Sequence, residues 1–436
     1  MCFTSEGRHM NVLIFGYGLR AGGFESAMYF LSRGDNVRVT DIRSRDSMGE
    51  GLDYLEKKGA VIHCSGHLTD DFSWSDLVIK SPSIRQDNEF LAFAKRIEND
   101  LTYASSRPEV QQIKIICVTG SRYKATTTSA ICHALNEMGH KAHMCGNMGI
   151  SAFSELQKWD KGDVPEYLII EMSTWMAKDT YLFLKGNVPH IEASVITSVF
   201  DNPDTTEEAA NRLGEFNLHA NHIICPAEVK DAIGKMAAKK AKNISSIEGA
   251  SWAMSKALPD KMRRPYAVLK KLGFSTSQIN AALKSFKGIP DRCELVMRTE
   301  NAMYINDSSS VIPAAVNFTS DNYESLPVHL ICGGSDASLD ASAMLPSLRS
   351  AASITLLDGS FSRKKLVPLL RENRIAFKGP FEKMEEAVQD ASSRLNSKSN
   401  IIQVVLLSPG ASAYEFFGNE YELGEAFKQA ISQLVR

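Results

Sequence analysis

The stretch Thr119-Gly120-Ser121-Arg122-Tyr123-Lys124-Ala125-Thr126 sets a glycine turn, hydroxyls and a lysine at a spacing that can hold a polyphosphate. The apolar run Ile113 to Val118 before it reads as a buried parallel strand, and Thr127 to Met138 after it has helical spacing and no proline. In a strand–turn–helix of this kind, backbone N–H groups and the positive end of the helix dipole cradle phosphates. The lysine then reaches the outer ones. Two places depart from that chemistry: Tyr123 stands where a second glycine lets the backbone approach, and Ala125 where a hydroxyl binds magnesium. Thr126 comes one residue late and on a helix points about 100° away. Taken alone, the loop leaves nucleotide binding and an ordinary strand-to-helix turn both open.

Other groups fit for chemistry also fall where apolar runs end. Asn11 to Phe15 runs into Gly16-Tyr17-Gly18-Leu19-Arg20-Ala21-Gly22-Gly23, a helix follows through Leu31, and Val37 to Asp41 is a second strand ending in an acid. This is a Rossmann-like opening, and the spacing suits Asp41 to a ribose- or base-binding carboxylate. The alternative is that the glycines only permit tight packing. Leu77 to Lys80 reads as a later strand with Ser81-Pro82-Ser83 at its carboxyl end, the side on which such folds bind ligands. Lys141 to Met144 leads to Cys145-Gly146-Asn147, and Tyr167 to Ile170 leads to Glu171-Met172-Ser173. Glu171 is thus an acid at the carboxyl end of a strand. Ala193 to Phe200 is a further strand, followed by Asp201-Asn202-Pro203-Asp204.

The whole chain must position these groups. Its 436 residues are too many for one ordinary domain. A net charge of −2 gives no electrostatic case for nucleic acid or an anionic membrane. The 8 cysteines form no CxxC pair and read as reduced thiols packed like small hydrophobes. No apolar stretch approaches membrane-spanning length, and the N-terminus lacks a signal peptide's apolar core. A cytoplasmic protein, monomeric and acting on small molecules, is the expectation. Strands alternating with helical stretches argue for an α/β fold with mostly parallel sheets. Residues 10–108 form the first domain, 109–290 the second and 291–436 the third, with Gly288-Ile289-Pro290 as turn chemistry at the last boundary. From Thr205 to Lys287 the pattern is mainly helical, with one strand at His222 to Cys225. The third domain carries strands at Ala302 to Ile305, His329 to Cys332, Ser353 to Leu357 and Ile402 to Leu407.

The serial order of these motifs resembles the Mur ligases over nearly the whole chain from Met10. The order is a Rossmann-like start, Gly-Ser-x-x-Lys, Gly-Asn-x-Gly, Glu-x-Ser and Asp-x-x-Asp. Gly-Ile-Pro-x-Arg, Ile-Asn-Asp-Ser, Gly-Gly and Ser-Pro-Gly follow. The likeness is greatest to the D-glutamate-adding members, and it implies a Rossmann-like UDP-sugar domain, a P-loop-type ATPase domain and a Rossmann-like ligase domain. It also implies ATP-dependent amide formation in peptidoglycan precursor synthesis: the carboxylate of UDP-N-acetylmuramoyl-L-alanine is phosphorylated and the acyl phosphate is attacked by D-glutamate. ATP and Mg2+ are the implied cofactors. By the resemblance, Gly120, Ser121, Lys124, Thr126, Arg292 and Asp307 would contact ATP, and Glu171 would ligate magnesium, with Lys124 and Glu171 the catalytic pair. Leu19, Arg20, Asp41, Arg43, Asn147 and Ser173 would hold the UDP-sugar.

The departures from the family pattern cluster at the chemistry. Besides Tyr123 and Ala125, the family's Asp-His-x-Asp is Asp201-Asn202-Pro203-Asp204, and the region of its carbamylated lysine, Ala209 to Leu213, has no lysine. Its His-Asn pair falls at Ala257 and Leu258, and the lysine and threonine that help hold the amino acid become Ser309 and Val311. A lysine after Gly-Gly becomes Ala337. Three readings follow: a divergent D-glutamate-adding ligase, a catalytically silent chain that keeps the scaffold and binds a nucleotide, sugar nucleotide or partner, and a Mur-type ligase with another amino acid.

Overall fold

The computed structural model describes residues 9–434, apart from 18–21, 46–47, 49–50, 121–122, 148–149, 186, 198–213, 228–229, 232, 234–242, 248–259, 322, 336–338, 398, 400, 414 and 418. The chain forms two compact units, Met1–Phe286 and Lys287–Arg436. The first contains two sheets and the second contains one.

The first sheet comprises β1 (Asn11–Phe15), β2 (Asn36–Thr40), β3 (Val61–His63), β4 (Leu77–Lys80) and β5 (Ile97–Glu98), all parallel, in the order β3-β2-β1-β4-β5. Val12 to Phe15 and Leu77 to Ile79 are buried, as continuous apolar runs in a parallel sheet covered on both faces must be. Helices α1 (Gly22–Ser32), α2 (Gly51–Lys57) and α3 (Thr69–Trp74) link the first strands, and α4 (Asp100–Ser105) follows β5. Successive connections leave β1 and β4 in opposite directions. The carboxyl ends of these neighbours therefore open a crevice.

The second sheet comprises β6 (Lys114–Thr119), β7 (Ala142–Gly146), β8 (Tyr167–Glu171), β9 (Ile191–Ile196), β10 (His222–Cys225) and β11 (Asn243–Ser246), ordered β11-β10-β9-β6-β8-β7 and again parallel. Here α5 (Lys124–Glu137) joins β6 to β7, α6 (Ala152–Trp159) joins β7 to β8, and α7 (Thr174–Leu184) joins β8 to β9. Strand β6 lies centrally, with Val118 opposite Glu171 on one side and Thr119 opposite Ile196 on the other. The stretch expected to be helical beyond β10 carries a second strand, β11. Its sequence Asn-Ile-Ser-Ser has one apolar residue, and only pairing along β10 at the sheet edge makes it a strand.

The second unit is built on β12 (Glu294–Arg298), β13 (Ala302–Asn306), β14 (Val328–Gly333), β15 (Ser353–Leu357), β16 (Lys378–Phe381) and β17 (Gln403–Leu407), ordered β12-β13-β17-β14-β15-β16. Only β12 runs antiparallel. Strands β12 and β16 are its edges, and β16 carries Pro380, which an edge tolerates. Buried Cys117, Cys145 and Cys332 sit in strands, and burial pushes their thiols well up, in keeping with small apolar packing groups. Among the described residues no helix is long and apolar enough to cross a membrane.

Candidate functional site

The turn after β6 has the backbone of a phosphate cradle but not its usual residues. Gly120 lies at φ +125° and Tyr123 at φ +62°, directly before the first residue of α5. A tyrosine in the left-handed region is strained where glycine would not be. The Arg264 guanidinium lies 4.2 Å from the Tyr123 ring centre, and its Nε donates to the Thr197 carbonyl just past β9 at 2.7 Å. Lys124 Nζ donates to the Gly120 carbonyl at 2.9 Å, so the ammonium folds back over its own turn. Ala125 is buried whereas Thr126 is only half-buried. The methyl group thus occupies the inward position where a metal-binding hydroxyl belongs.

One strand over, Glu171 ends β8 with 4% exposure. Asn147 donates from its Nδ2 to Glu171 Oε1 at 3.3 Å and from its backbone N–H to the Glu171 carbonyl at 2.9 Å. Gly146 makes this possible: at φ +110°, a Cβ there would stand 2.1 Å from the Glu171 carbonyl oxygen. Glu171 Oε2 is buried with no hydrogen-bond partner among the described residues. A buried, unpaired carboxylate oxygen is costly, and a cation is what satisfies it. No cluster of three or more His, Cys, Asp or Glu suited to a metal occurs among the described residues. Magnesium is ordinarily held by one or two carboxylates plus substrate phosphates and water, so a single protein carboxylate fits it, while a dedicated protein cage is absent there. Ser173 N-caps α7, accepting from the Met176 N–H at 3.2 Å, which leaves its O–H free to donate.

A cleft of about 780 Å³ runs along the carboxyl ends of β1 and β4 to the end of β7. Its lining includes Gly16, Asp41, Arg43, Ser81, Ser83 and Asn147. Gly16 permits the narrow crossing, because a Cβ there would meet Ile84 at 2.8 Å and Ser81 at 3.0 Å. The volume suits a sizeable small molecule. Its far end at Asn147 lies one hydrogen bond from Glu171, and Glu171 is the register partner of Val118 just before the phosphate loop.

Asp41, in the cleft lining, is held by donors from its own loops. Its Oδ2 accepts from the Tyr17 N–H at 2.9 Å and Arg43 Nη2 at 2.8 Å, and its Oδ1 accepts from Arg43 N and Nε, both at 3.0 Å. Burial raises its pKa, but these bonds more than offset that and hold the group below the usual carboxylate range. With four donors on two oxygens, Asp41 secures the glycine turn and aims Arg43 along the cleft wall.

The side chains that brace this cleft were not evident from motif spacing. Lys80 Nζ, 1% exposed as a residue, donates to Asp179 Oδ2 on α7 at 2.5 Å and to the Ser81 carbonyl at 3.2 Å. Gln86 Nε2 holds Asp179 Oδ1, and Asn99 Nδ2 donates to Thr180 Oγ1 at 2.9 Å. Asp100, half-buried on the cleft lining, accepts from the Ala152 N–H at 3.2 Å at the start of α6, and desolvation raises its pKa. The available signal was a lysine ending an otherwise apolar strand.

In the second unit, Asp307 is 3% exposed and accepts from Cys293 N, Ser310 Oγ, Thr319 Oγ1 and Ser408 Oγ. It therefore ties the ends of β13 and β17 to the helix Pro313–Asp321, with three hydroxyls on Oδ2 and the Cys293 N–H on Oδ1. Burial raises its pKa despite the donors. Arg292 is half-buried between Asp291 at φ +63° and Cys293 at φ +46°. Ser309 and Val311 present no cation. Leu19, Arg20, Ser121, Asp201 to Asp204, Ala209 to Leu213, Ala257, Leu258 and Ala337 lie outside the described residues.

Three α/β sheets with this strand order, a phosphate-type loop after β6 and a cleft across the first two sheets define the chain as Mur-type in architecture. Its backbone is similar to that of UDP-N-acetylmuramate-alanine ligase MurC from Thermotoga maritima, with a TM-score of 0.55 and 18% identity, covering 98% of this chain and 100% of that one. No family model matches the chain. Over 471 aligned residues it is 27% identical to the UDP-N-acetylmuramoylalanine--D-glutamate ligase of Borreliella burgdorferi, covering 98% of this chain and 99% of the relative. It is 23% identical over 529 residues to the enzyme of the same name from Treponema pallidum, covering 96% and 97%. In sequence the chain is similar over nearly its whole length to D-glutamate ligases of the Mur type, and in backbone to a Mur ligase.

Proposed function

We propose that this chain is an ATP-dependent ligase of peptidoglycan precursor synthesis that joins D-glutamate to UDP-N-acetylmuramoyl-L-alanine. The observation that carries the reading is the cleft that starts at the β1–β4 crevice and ends at Asn147, hydrogen-bonded to a buried glutamate with one unsatisfied oxygen beside the phosphate loop. The sugar nucleotide occupies the cleft, with Arg43 and Asn147 along it. Its acyl end then reaches Asn147, which is hydrogen-bonded to Glu171.

Phosphoryl transfer to a carboxylate brings two anions together, so catalysis is positioning plus charge neutralisation. Lys124 neutralises the outer phosphates of ATP from the start of α5, for which it exchanges the Gly120 carbonyl for phosphate oxygens. Glu171 would be the protein ligand for magnesium, which would supply charge neutralisation at the phosphates. Asn147 fixes the Glu171 carboxylate. The D-glutamate amine then displaces phosphate from the acyl phosphate.

A second reading rests on a specific observation. Lys124 turned onto its own loop and Tyr123 stacked under Arg264 suit a scaffold that keeps the family's shape and binds without turnover. ADP formation decides between the two, with magnesium, ATP, UDP-N-acetylmuramoyl-L-alanine and D-glutamate each omitted in turn. ADP that appears only in the complete mixture supports the ligase. Its absence from a folded sample that still binds the sugar nucleotide supports the silent scaffold.

A further inference from the structure

Because the four donors on Asp41 leave it no capacity for a ligand, the nucleoside end of the cleft needs another acceptor. His67 lines the same cleft, in the loop that follows β3. That loop is fastened to the one after β2: Ser65 N donates to the Arg43 carbonyl at 2.9 Å and Gly66 N to the Asp41 carbonyl at 3.4 Å. The His67 ring meets Phe15 edge-on at 4.8 Å and Phe90 at 5.3 Å, so packing fixes its plane.

The Nδ1–H tautomer is the one that satisfies both contacts of the Thr40 hydroxyl. Thr40 Oγ1 lies 3.3 Å from the Gly66 carbonyl, which can only accept, and 2.8 Å from His67 Nδ1. With the single hydroxyl proton directed to Gly66, the proton between Thr40 and His67 belongs to Nδ1. Nε2 then carries a lone pair and has no hydrogen-bond partner among the described residues. Burial lowers the pKa of the ring, partly opposed by Asp41 and Asp71, in keeping with a neutral imidazole.

We propose that His67 Nε2 is the acceptor by which the cleft recognises the nucleoside of a uridine nucleotide, taking a hydrogen bond from the uracil imide or from a ribose hydroxyl. The inference rests on the sugar-nucleotide reading of the cleft and adds a specificity residue to it.

Titration calorimetry with UDP, CDP and 2′-deoxy-UDP on the full chain tests it. CDP replaces the imide donor by an acceptor, and 2′-deoxy-UDP removes one hydroxyl. The wild type is expected to favour UDP about tenfold over one of the two, which identifies the donor. His67→Phe keeps the ring packing without an acceptor and should weaken UDP about tenfold and erase that preference. His67→Gln offers an amide oxygen and should recover part of both, which covers the case in which the Phe variant fails to fold. If UDP binds the wild type and both folded variants alike, with unchanged preference, the assignment of His67 is wrong while the cleft reading stands. If UDP does not bind the folded wild type, the sugar-nucleotide reading fails and the role of His67 fails with it.

Discussion

Lys80 and Asp179 form an ion pair of 2.5 Å with side chains 0% and 4% exposed, one ending β4 in the first sheet and the other on α7 of the second. Two charges taken out of water in this way are stabilising only while each has the other. The pair also fixes the Ser81 turn against the helix that begins at Ser173, so it sets the width of the cleft. Asp179→Ala should cost about 3–5 kcal/mol of folding stability, because it strands a buried ammonium. Lys80→Met combined with Asp179→Leu should cost clearly less than the single change. Urea unfolding of the three proteins checks this, and equal losses for the single and double variants would show that the pair is not coupled.

A second buried group makes the stability depend on pH. His329, in β14, has Nδ1 2.8 Å from Ser353 Oγ and Nε2 3.3 Å from Gln403 Oε1, and burial lowers its pKa although the Gln403 bond opposes it. An unfolded histidine takes up a proton near pH 6.5, whereas the folded one does so only at lower pH. Between those values the unfolded state binds more protons, so stability rises with pH and is lost as pH falls, by at most about 1.4 kcal/mol per pH unit for one group. Chemical unfolding at pH 7 and pH 5 should show a smaller acid loss for His329→Gln than for the wild type. An identical pH slope in both would remove His329 from the account.

The central strands of each sheet were legible as apolar runs, because parallel strands covered on both faces show nothing else. Strand ends could be located, and with them Glu171, Asn147 and the phosphate loop. Edge strands were not legible: Asn243–Ser246 and Lys378–Phe381 owe their conformation to a neighbour. What a strand-end acid does was also hidden. Asp41 and Asp307 sit where ligand carboxylates belong, yet both are saturated by donors from their own unit, and those donors lie as far away in sequence as Tyr17 and Ser408. Partners so remote leave no local pattern. The left-handed demand at Tyr123 could be anticipated from the missing glycine, but Arg264 over its ring could not.

That stacked pair leads to a prediction about the loop. The left-handed tyrosine costs about 1–2 kcal/mol and the guanidinium returns roughly 0.5–1 kcal/mol, so Tyr123→Gly should change stability by little. Glycine would let the backbone approach phosphates, so ATP affinity should rise several-fold, while Lys124→Ala should lower it at least tenfold. Displacement of a fluorescent ATP analogue measures both. Unchanged affinity in Tyr123→Gly would mean that the tyrosine does not obstruct the cradle.

Glu171 separates a cation site from a helix-capping acid. Among the described residues nothing pairs its buried Oε2, so that oxygen bears a desolvation cost in the folded state. A purely structural glutamate would lose stability on neutralisation, whereas a glutamate kept for a cation should lose function alone. Glu171→Gln should therefore unfold at a denaturant midpoint no lower than the wild type. It should form ADP on the order of 100- to 1000-fold more slowly, as expected when a charge that stabilises phosphoryl transfer is removed. Magnesium should also raise the melting temperature of the nucleotide-bound wild type more than that of the variant. A fall in stability above about 1 kcal/mol with an unchanged magnesium response would instead mark Glu171 as a packing residue of the β7–β8 edge.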